Sequence, residues 1–210
     1  MEHISDFHRQ QLSQWGFNDK AIDNLRQYAA LVKKWQKAIN LVSPSTIPHI
    51  WERHLIDSAQ LWPIIKACGT KKTDIVDLGS GGGFPGLVLA IAGADQVQMI
   101  ESDKRKCIFL RETARELGLD NVIVHDKRIE EVILPPASFV TARALTAMKQ
   151  LYQWGLQFSN DKTHMVFLKG QDAKSEIREL PKSVQENILI YNSSTDVNAK
   201  ILDICVSRET

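Results

Sequence analysis

Cysteine is scarce in this sequence, and no two cysteines lie close together. The 210 residues contain three of them, Cys68, Cys107 and Cys205. An odd number at such wide spacing provides neither a disulfide framework nor the ligand spacing of a metal site. We therefore expect free thiols in a reducing compartment, and no bound metal.

Long apolar runs are missing as well. The longest, residues 87–92, is far shorter than the roughly 20 residues that a helix needs to span a bilayer. The first residues, MEHISDFHRQQ, are polar and lack the apolar stretch of a signal peptide. We therefore expect a cytoplasmic protein without a membrane partner, and we expect it to be a monomer.

An excess of one charge sign is also absent, because the formal net charge is only +1. The chain as a whole is not a polycation, so binding of nucleic acid would need a local basic face. Two groups of basic residues offer such a face, although each would also suit a solvated helix surface. They are Lys33, Lys34 and Lys37, and then Lys104, Arg105, Lys106, Arg111 and Arg115.

The first third of the chain, residues 1–69, has a helical pattern. Asn18 is placed to cap a helix on which apolar residues recur at helical spacing. Thr46 is expected to cap a further helix, and Gly69 is placed to end this segment.

From residue 70 onwards, strand-like runs alternate with helical ones. Strands are predicted at 74–78, 97–101, 122–125, 139–143, 164–168, 188–191 and 201–206, and helices at 85–92, 104–117, 129–132, 146–158 and 175–180. Such alternation is typical of a doubly wound, mostly parallel sheet covered on both faces, and the two late strands favour an antiparallel hairpin. The sequence therefore predicts an α/β domain, residues 70–210, with an N-terminal helical extension, residues 1–69.

The most informative segment is a glycine-rich loop after the first predicted strand, 75-IVDLGSGGGFPG-86. Glycines let the backbone turn sharply and approach a ligand closely, and sheets of this class bind ligands at the carboxyl ends of their strands. Glu101 ends the second predicted strand, where a carboxylate can accept hydrogen bonds from both ribose hydroxyls of an adenosine. The loop and Glu101 together predict a nucleoside-containing ligand.

Two cofactor classes compete for this loop. Gly81, Gly83 and Gly86 satisfy the dinucleotide pattern Gly-x-Gly-x-x-Gly, which would suit a nicotinamide-dependent oxidoreductase. Asp77, Gly79, Gly81 and Gly83 satisfy the Asp-x-Gly-x-Gly-x-Gly pattern of S-adenosylmethionine methyltransferases. Asp77 favours the second class, because a carboxylate would repel a pyrophosphate but suits a ligand with cationic ammonium and sulfonium groups.

Further segments resemble one bacterial family. They are 34-KWQKAINL-41, 53-RHLIDS-58, 77-DLGSGGGFPG-86, Lys104-Arg105-Lys106 with Phe109-Leu110, 128-RIEE-131, Arg143-Ala144 and 168-LKG-170. From about residue 25 to residue 206 the chain resembles the 16S ribosomal RNA guanine-N7 methyltransferases, also called glucose-inhibited division protein B. Gly82 departs from this pattern, since many relatives have proline there.

The resemblance implies S-adenosylmethionine as cofactor and one guanine of 16S ribosomal RNA, free or in the small subunit, as substrate. It implies cofactor contacts at Gly79, Phe84, the backbone of Ile129 and Glu130, and Arg143. With Asp77, Gly81, Gly83 and Glu101 from the glycine loop and the second strand, these residues form the predicted cofactor site. A methyltransferase of small molecules, with a lid over a small apolar pocket, is the alternative.

Guanine N7 has a free lone pair, so methyl transfer to it needs no general base, and the sequence offers no credible one. His125 and His164, in or beside predicted strands, are expected to be structural. Arg143 ends the fourth predicted strand, and we predict that it orients the reactants and moves no proton; a strand-end ion pair is the simpler alternative.

Polar residues elsewhere have a structural and a functional interpretation. Lys169, at the end of the fifth predicted strand, is either a surface lysine or a phosphate contact. Substrate contacts are predicted at Lys169, Lys104 and Arg105. Four residues either anchor the N-terminal helices to the sheet or shape the cleft: Asn40, His54, Asp57 and Ser58.

Overall fold

A computed structural model describes residues 3–207 of the chain. The N-terminal segment contains α1 (Asp6–Gln14), α2 (Asp19–Trp35), a 3-10 turn (Pro44–His49), a π-helical turn (Trp51–Ile56), α3 (Asp57–Ala59) and α4 (Leu61–Ala67). The predicted cap of α2 is confirmed, since Asn18 Oδ1 accepts a hydrogen bond from the Ala21 amide at 2.8 Å.

The predicted cap at Thr46 is wrong. Thr46 lies inside the 3-10 turn, and its hydroxyl donates to the Ser43 carbonyl at 2.7 Å. Pro44, whose fixed φ suits a first helical position, starts this turn two residues before Thr46, and Ser43 precedes it. Regular helix returns only at α3.

The predicted sheet is confirmed, with each strand end within a residue of its expected position. Its strands are β1 (Asp74–Leu78), β2 (Gln96–Glu101), β3 (Val122–Asp126), β4 (Phe139–Arg143), β5 (His164–Lys169), β6 (Ile188–Asn192) and β7 (Lys200–Cys205). Within the described residues the order across the sheet is β3-β2-β1-β4-β5-β7-β6. The first five strands are parallel, and β7 pairs antiparallel with both β5 and β6.

The helices between the strands are α5 (Gly86–Ala92), α6 (Lys104–Glu116), α7 (Met148–Gln157), α8 (Ala173–Ile177) and α9 (Lys182–Asn187). Asp103 caps α6 by accepting from the amides of Arg105 and Lys106. The helix predicted at 129–132 is a 3-10 turn, Ile129–Glu131. Helix α9 was not predicted, because none of its residues is buried and it has no apolar period.

The N-terminal helices are one layer of the fold. Their buried side chains, such as Leu25 and Tyr28, belong to the same hydrophobic cluster as Leu87 of α5 and Phe109 of α6. A second cluster fills the other face of the sheet, beneath α7. The predicted boundary after residue 69 falls in the turn before β1, and the helices before it share their core with the sheet.

The strand order reverses at β1, which lies between β2 and β4. In doubly wound sheets the crevice for a ligand lies at such a point, at the carboxyl ends of the strands. Here those ends continue into the glycine loop, Glu101 and Arg143. None of the helices within residues 3–207 has the length and apolar composition of a membrane span.

Candidate active site

A cleft of about 640 Å³ opens at the carboxyl ends of β1, β2 and β4. The residues around it come from the glycine loop, the end of β2, the Ile129–Glu131 turn and the end of β4. Among the predicted cofactor residues, the lining includes Gly79, Gly81, Phe84, Glu101, Ile129, Glu130 and Arg143. Asp77 and Gly83 are not among the residues that line it.

Gly81 and Gly83 have different tasks in the loop. Both have a left-handed backbone, with φ of +55° and +92°. A Cβ at Gly81 would meet only the Gly79 carbonyl, at 3.7 Å, so this position is open. A Cβ at Gly83 would come within 2.6 Å of both Leu87 and the Tyr28 hydroxyl. Gly83 is therefore required by packing, whereas Gly81 leaves room in the cleft.

Asp77 lies beneath the loop. Its side chain is fully buried, and its Oδ1 accepts a hydrogen bond from the Thr141 hydroxyl at 2.8 Å. Burial raises the pKa of this carboxyl to about 6. A Cβ at Gly86 would come within 2.6 Å of Asp77 Oδ2, so the carboxyl supports the start of α5. Its direct contact with a cofactor stays a prediction.

Glu101 holds the loop from the other side. Its two carboxylate oxygens accept hydrogen bonds from the backbone amides of Gly81, at 2.9 Å, and Asp103, at 2.8 Å. Each carboxylate oxygen has a further lone pair. The side chain can therefore fix the loop and still accept hydroxyl groups from a ligand in the cleft.

Arg143 connects β4 to the N-terminal segment. Its guanidinium donates to the Arg53 carbonyl and to His54 Nδ1, both at 2.9 Å, and lies 3.5 Å from Asp57 Oδ2. Its other face covers the Phe84 ring, with 4.9 Å from Cζ to the ring centre. The side chain is 16% exposed. His54 and Asp57 thus anchor the N-terminal segment to the sheet, one of the two roles considered for them.

His54 is neutral in this arrangement. A guanidinium only donates hydrogen bonds, so His54 Nδ1 accepts from Arg143, and the ring proton on Nε2 is donated to the Thr46 hydroxyl at 2.7 Å. Burial, with the charges of Arg143 and Arg53, lowers the pKa of His54 to about 3. The lone pair of its Nδ1 is therefore occupied by the hydrogen bond from Arg143 and is not available to act as a base.

The pKa of His54 predicts a loss of stability in acid. Because the folded pKa is depressed, the contribution of His54 is complete above the unfolded value near 6.5 and disappears as the pH falls towards 3. His54 contributes at most about 1.4 kcal/mol per pH unit to the slope of the unfolding free energy against pH. His54→Gln, which keeps one acceptor and one donor but does not titrate, should flatten the pH dependence of the unfolding free energy between pH 6 and 4. In urea titrations, the exposed control His49→Gln should keep the wild-type slope; an equal slope in both variants would contradict the assignment.

A second cleft, of about 460 Å³, lies on the far side of Arg143. Arg143, Ala144 and Leu41 line both clefts, so they form the wall between them. Ala144 has a φ of +47°, an unusual conformation for a residue with a side chain. The remaining lining of the second cleft is largely polar: Ser43, Thr46, Arg53, His54, Asp57, Lys169, Thr195 and Asp196.

Lys169 is largely buried, and its ammonium is paired. Its side chain is 8% exposed, and its ammonium lies 2.7 Å from Glu176 Oε2 and 2.8 Å from the Thr146 carbonyl. The positive charge is thus paired inside the protein, so Lys169 is not the surface lysine of the simpler interpretation, and a phosphate contact stays a prediction.

Lys104 and Arg105 are exposed at the start of α6. A groove of about 270 Å³ beside them is lined by Lys37, Arg105 and Lys106, so the two basic groups seen in the sequence meet here. Asn40 borders this groove, whereas Ser58 is fully buried.

Sequence reasoning missed parts of both clefts. Trp154 lines the first cleft and donates to Glu130 Oε1 at 3.0 Å. Thr195 and Asp196, in the turn between β6 and β7, reach the second cleft and bind Asp57 and Arg53 at 2.7 and 3.2 Å. No local motif marks these residues, because tertiary contacts alone bring them to the site.

Comparisons with known proteins agree with this geometry. The family model for rRNA small subunit methyltransferase G (GidB) matches residues 21–205. The chain is 44% identical over 193 residues to the ribosomal RNA small subunit methyltransferase G of Paramagnetospirillum magneticum, covering 92% of each chain. Its identity to the protein of that name from Rhodospirillum centenum is 43% over 188 residues, covering 90% of this chain and 85% of the relative.

Solved structures show the same fold at low identity. An O-methyltransferase from Bacillus cereus, in complex with SAH, is 17% identical with a TM-score of 0.58, covering 86% of this chain and 91% of that one. The family match, in contrast, extends from α2 through the glycine loop to the late hairpin. The chain therefore belongs to the rRNA small subunit methyltransferase G family.

Proposed function

We propose that this protein transfers the methyl group of S-adenosylmethionine to N7 of a guanine in 16S ribosomal RNA. The observation that carries the proposal is the wall of Arg143 and Ala144 between two adjacent clefts. One cleft suits a nucleoside cofactor and the other suits a polar base. A cofactor bound in the first cleft and a base bound in the second would come together beside Arg143 and Ala144. The name of the relatives, ribosomal RNA small subunit methyltransferase G, supports the same substrate.

The first cleft fits S-adenosylmethionine on the chemistry of its own residues. The backbone at Gly81 leaves open space, and Glu101 has lone pairs left for ribose hydroxyls. Phe84 and Arg143 form the end of the cleft nearest the second one. When bound, the cofactor supplies an electrophilic methyl group on a sulfonium.

The second cleft fits guanine better than a small apolar molecule. Its carboxylates, Asp57 and Asp196, are acceptors for base N–H groups. The hydroxyls of Thr46 and Thr195 already donate their protons within the protein, so they can offer a base only an acceptor. Nine of its lining residues have polar or charged side chains, which favours a nucleobase over the small apolar substrate of the alternative methyltransferase class. The oxidoreductase alternative falls with the family assignment.

The side chains around the clefts orient the reactants and move no proton. Guanine N7 attacks through its own lone pair, so no base has to remove a proton. His54 is neutral with its basic nitrogen bound to Arg143, which agrees with this chemistry. Orientation alone can lower a barrier by roughly 7–11 kcal/mol, and the rigid Arg143 network supplies it.

The basic groove supplies the contacts to the RNA backbone. Lys37, Lys104, Arg105 and Lys106 lie around the start of α6, next to the first cleft. Phosphate contacts position a nucleic acid without reading its sequence. This local basic surface lets a chain of net charge +1 bind an RNA.

Glu101 provides a test of the cofactor site. Glu101→Gln keeps the size but removes the charge and the second strong acceptor, so S-adenosylhomocysteine should bind more weakly by about 1.5–3 kcal/mol. Glu101→Ala should lose at least as much, because it also frees the loop amides that Glu101 binds. Isothermal titration calorimetry measures this directly. An unchanged dissociation constant in both variants would remove Glu101 from the site.

The substrate is tested with small ribosomal subunits, and with 16S RNA stripped of protein, from a strain that lacks the modification. Single-turnover reactions with labelled cofactor should place one methyl group on one guanine, and chemical cleavage at 7-methylguanine should map it. A panel of small methyl acceptors is the control. Methylation of a small acceptor without RNA labelling, or a methyl group on another base atom, would overturn the proposal.

A further inference from the structure

A cysteine, a histidine and an aspartate meet at the end of the sheet opposite the clefts. Cys68 follows the last turn of α4, His164 is the first residue of β5, and Asp203 lies in β7. Cys68 Sγ is 3.5 Å from His164 Nδ1 and 3.9 Å from Asp203 Oδ2. His164 Nδ1 is 2.8 Å from Asp203 Oδ1. The clefts lie at the carboxyl ends of the parallel strands, so this cluster is separate from them.

The sheet itself fixes two of these side chains. In the antiparallel pairing of β5 with β7, His164 lies opposite Cys205 and Val166 lies opposite Asp203. His164 and Asp203 are therefore diagonal neighbours on the same face. The end of α4 brings the thiol of Cys68 over that face.

The separations suit a tetrahedral metal ion. Zinc binds sulfur at about 2.3 Å and nitrogen or oxygen at about 2.0–2.2 Å, so its ligand atoms lie roughly 3.3–3.6 Å apart. The sulfur–nitrogen distance of 3.5 Å falls in this range. Of the two carboxylate oxygens of Asp203, Oδ1 lies 2.8 Å from the nitrogen and Oδ2 lies 3.9 Å from the sulfur, so a small rotation of the carboxylate would bring one oxygen to a ligand position. The three donor atoms all lie within 4.8 Å of one another.

The donor set also suits zinc in kind and charge. A thiolate, an imidazole and a carboxylate are its usual ligands in proteins. Asp203 is only 2% exposed and pairs with His164, and a bound cation would keep a positive partner beside this buried carboxylate when it displaces the proton between them. A divalent cation with one thiolate and one carboxylate gives a site of zero net charge. Within residues 3–207, this is the one group of three such side chains whose donor atoms lie this close.

We propose that Cys68, His164 and Asp203 form a binding site for Zn²⁺, with a fourth position open to water. Cys68 and His164 are partly exposed, so the ion has access. Binding replaces the thiol proton of Cys68 and the Nδ1 proton of His164, both of which go to solvent. The bound ion ties the end of α4 to β5 and β7 and stabilises the folded chain. This inference does not rest on the methyl transfer reaction.

The test uses the full chain, freed of metal with a chelator and then dialysed. Adding Zn²⁺ should raise the thermal unfolding temperature in proportion to occupancy. Adding Co²⁺ should produce a thiolate-to-metal charge-transfer band and the strong visible bands of tetrahedral cobalt. Equilibrium dialysis should give one tightly bound Zn²⁺ per chain.

Matched variants identify the ligands. Cys68→Ser keeps the size and the hydrogen bond to Ile64 but should weaken Zn²⁺ binding at least about tenfold and abolish the charge-transfer band. Asp203→Asn should also weaken binding. Cys205→Ser is the thiol control, since Cys205 is exposed and opposite His164; it should leave binding intact. No Zn²⁺-dependent shift in the wild type, or equal loss in Cys205→Ser and Cys68→Ser, would overturn the site and leave a hydrogen-bonded cluster.

Discussion

Replacing Arg143 by alanine should reduce methyl transfer at least about 100-fold and lower the free energy of unfolding by about 2–4 kcal/mol. The guanidinium binds the Arg53 carbonyl, His54 Nδ1 and Asp57. Its removal leaves Asp57 without its positive partner and His54 without its hydrogen-bond donor. Both side chains are largely buried, so water cannot fully replace the lost guanidinium. Because Arg143 is only 16% exposed and its donors are paired within the protein, its loss should affect stability as well as methyl transfer.

Arg143→Lys separates charge from geometry. Lysine keeps the positive charge but cannot donate to Arg53 and His54 at once from a planar fork, so transfer should fall while stability falls less than in the alanine variant. Single-turnover methylation of small subunits and urea unfolding measure the two effects. Arg9→Ala is the control, because Arg9 pairs with Asp19 on an exposed helix surface and should change both by little. Near-wild-type transfer in both Arg143 variants would exclude it from the active site.

The second large effect is expected from the glycine loop, where substitutions of Gly81 and Gly83 should have different consequences. Gly81→Val should abolish binding of S-adenosylhomocysteine, since its side chain would extend into the open space of the cleft. The left-handed backbone adds a cost of roughly 1–2 kcal/mol, so the chain should still unfold in one cooperative transition.

Gly83→Ala should instead destabilise the fold. Its Cβ would lie within 2.6 Å of Leu87 and of the Tyr28 hydroxyl, and overpacking of this kind costs about 1–3 kcal/mol, to which the left-handed φ of +92° adds. Calorimetric binding and thermal unfolding of both variants give the comparison. If Gly81→Val binds the ligand normally, or if Gly83→Ala is as stable as the wild type, the division of tasks within the loop is wrong.

The sheet was predictable because its signals are local. Each parallel strand is a short apolar run, and the turn residues that follow it, such as Gly79 and Asp103, have side-chain or backbone properties readable one position at a time. The Glu101 position was predictable for the same reason, since it ends a strand. Helix α9 was not, because it buries no apolar face.

The contacts that define the clefts were much less predictable. The sequence suggested that Lys169 could be a surface cation. In the structure, α8 places the Glu176 carboxylate 2.7 Å from its ammonium. Arg143 and His54 are 89 residues apart in the chain, and no local sequence pattern around His54 predicts this contact. The cysteine spacing gave no sign of the cluster of Cys68, His164 and Asp203, because Cys68 and His164 are 96 residues apart. Such sites depend on topology, which residue spacing does not encode.

The hydrogen bond from the Tyr28 hydroxyl to the Gly82 carbonyl, 2.5 Å long, links the order of synthesis to the assembly of the cofactor loop. The two residues are 54 positions apart, and the tyrosine leaves the ribosome first. The support that α2 gives to the loop can therefore form only after β1 and the loop have been synthesised. A chain shortened from its amino terminus past residue 28 would keep every glycine and still lack the support that shapes them. In this molecule the leading helices are part of the loop's own architecture, and a transplanted sheet alone would not reproduce the binding surface.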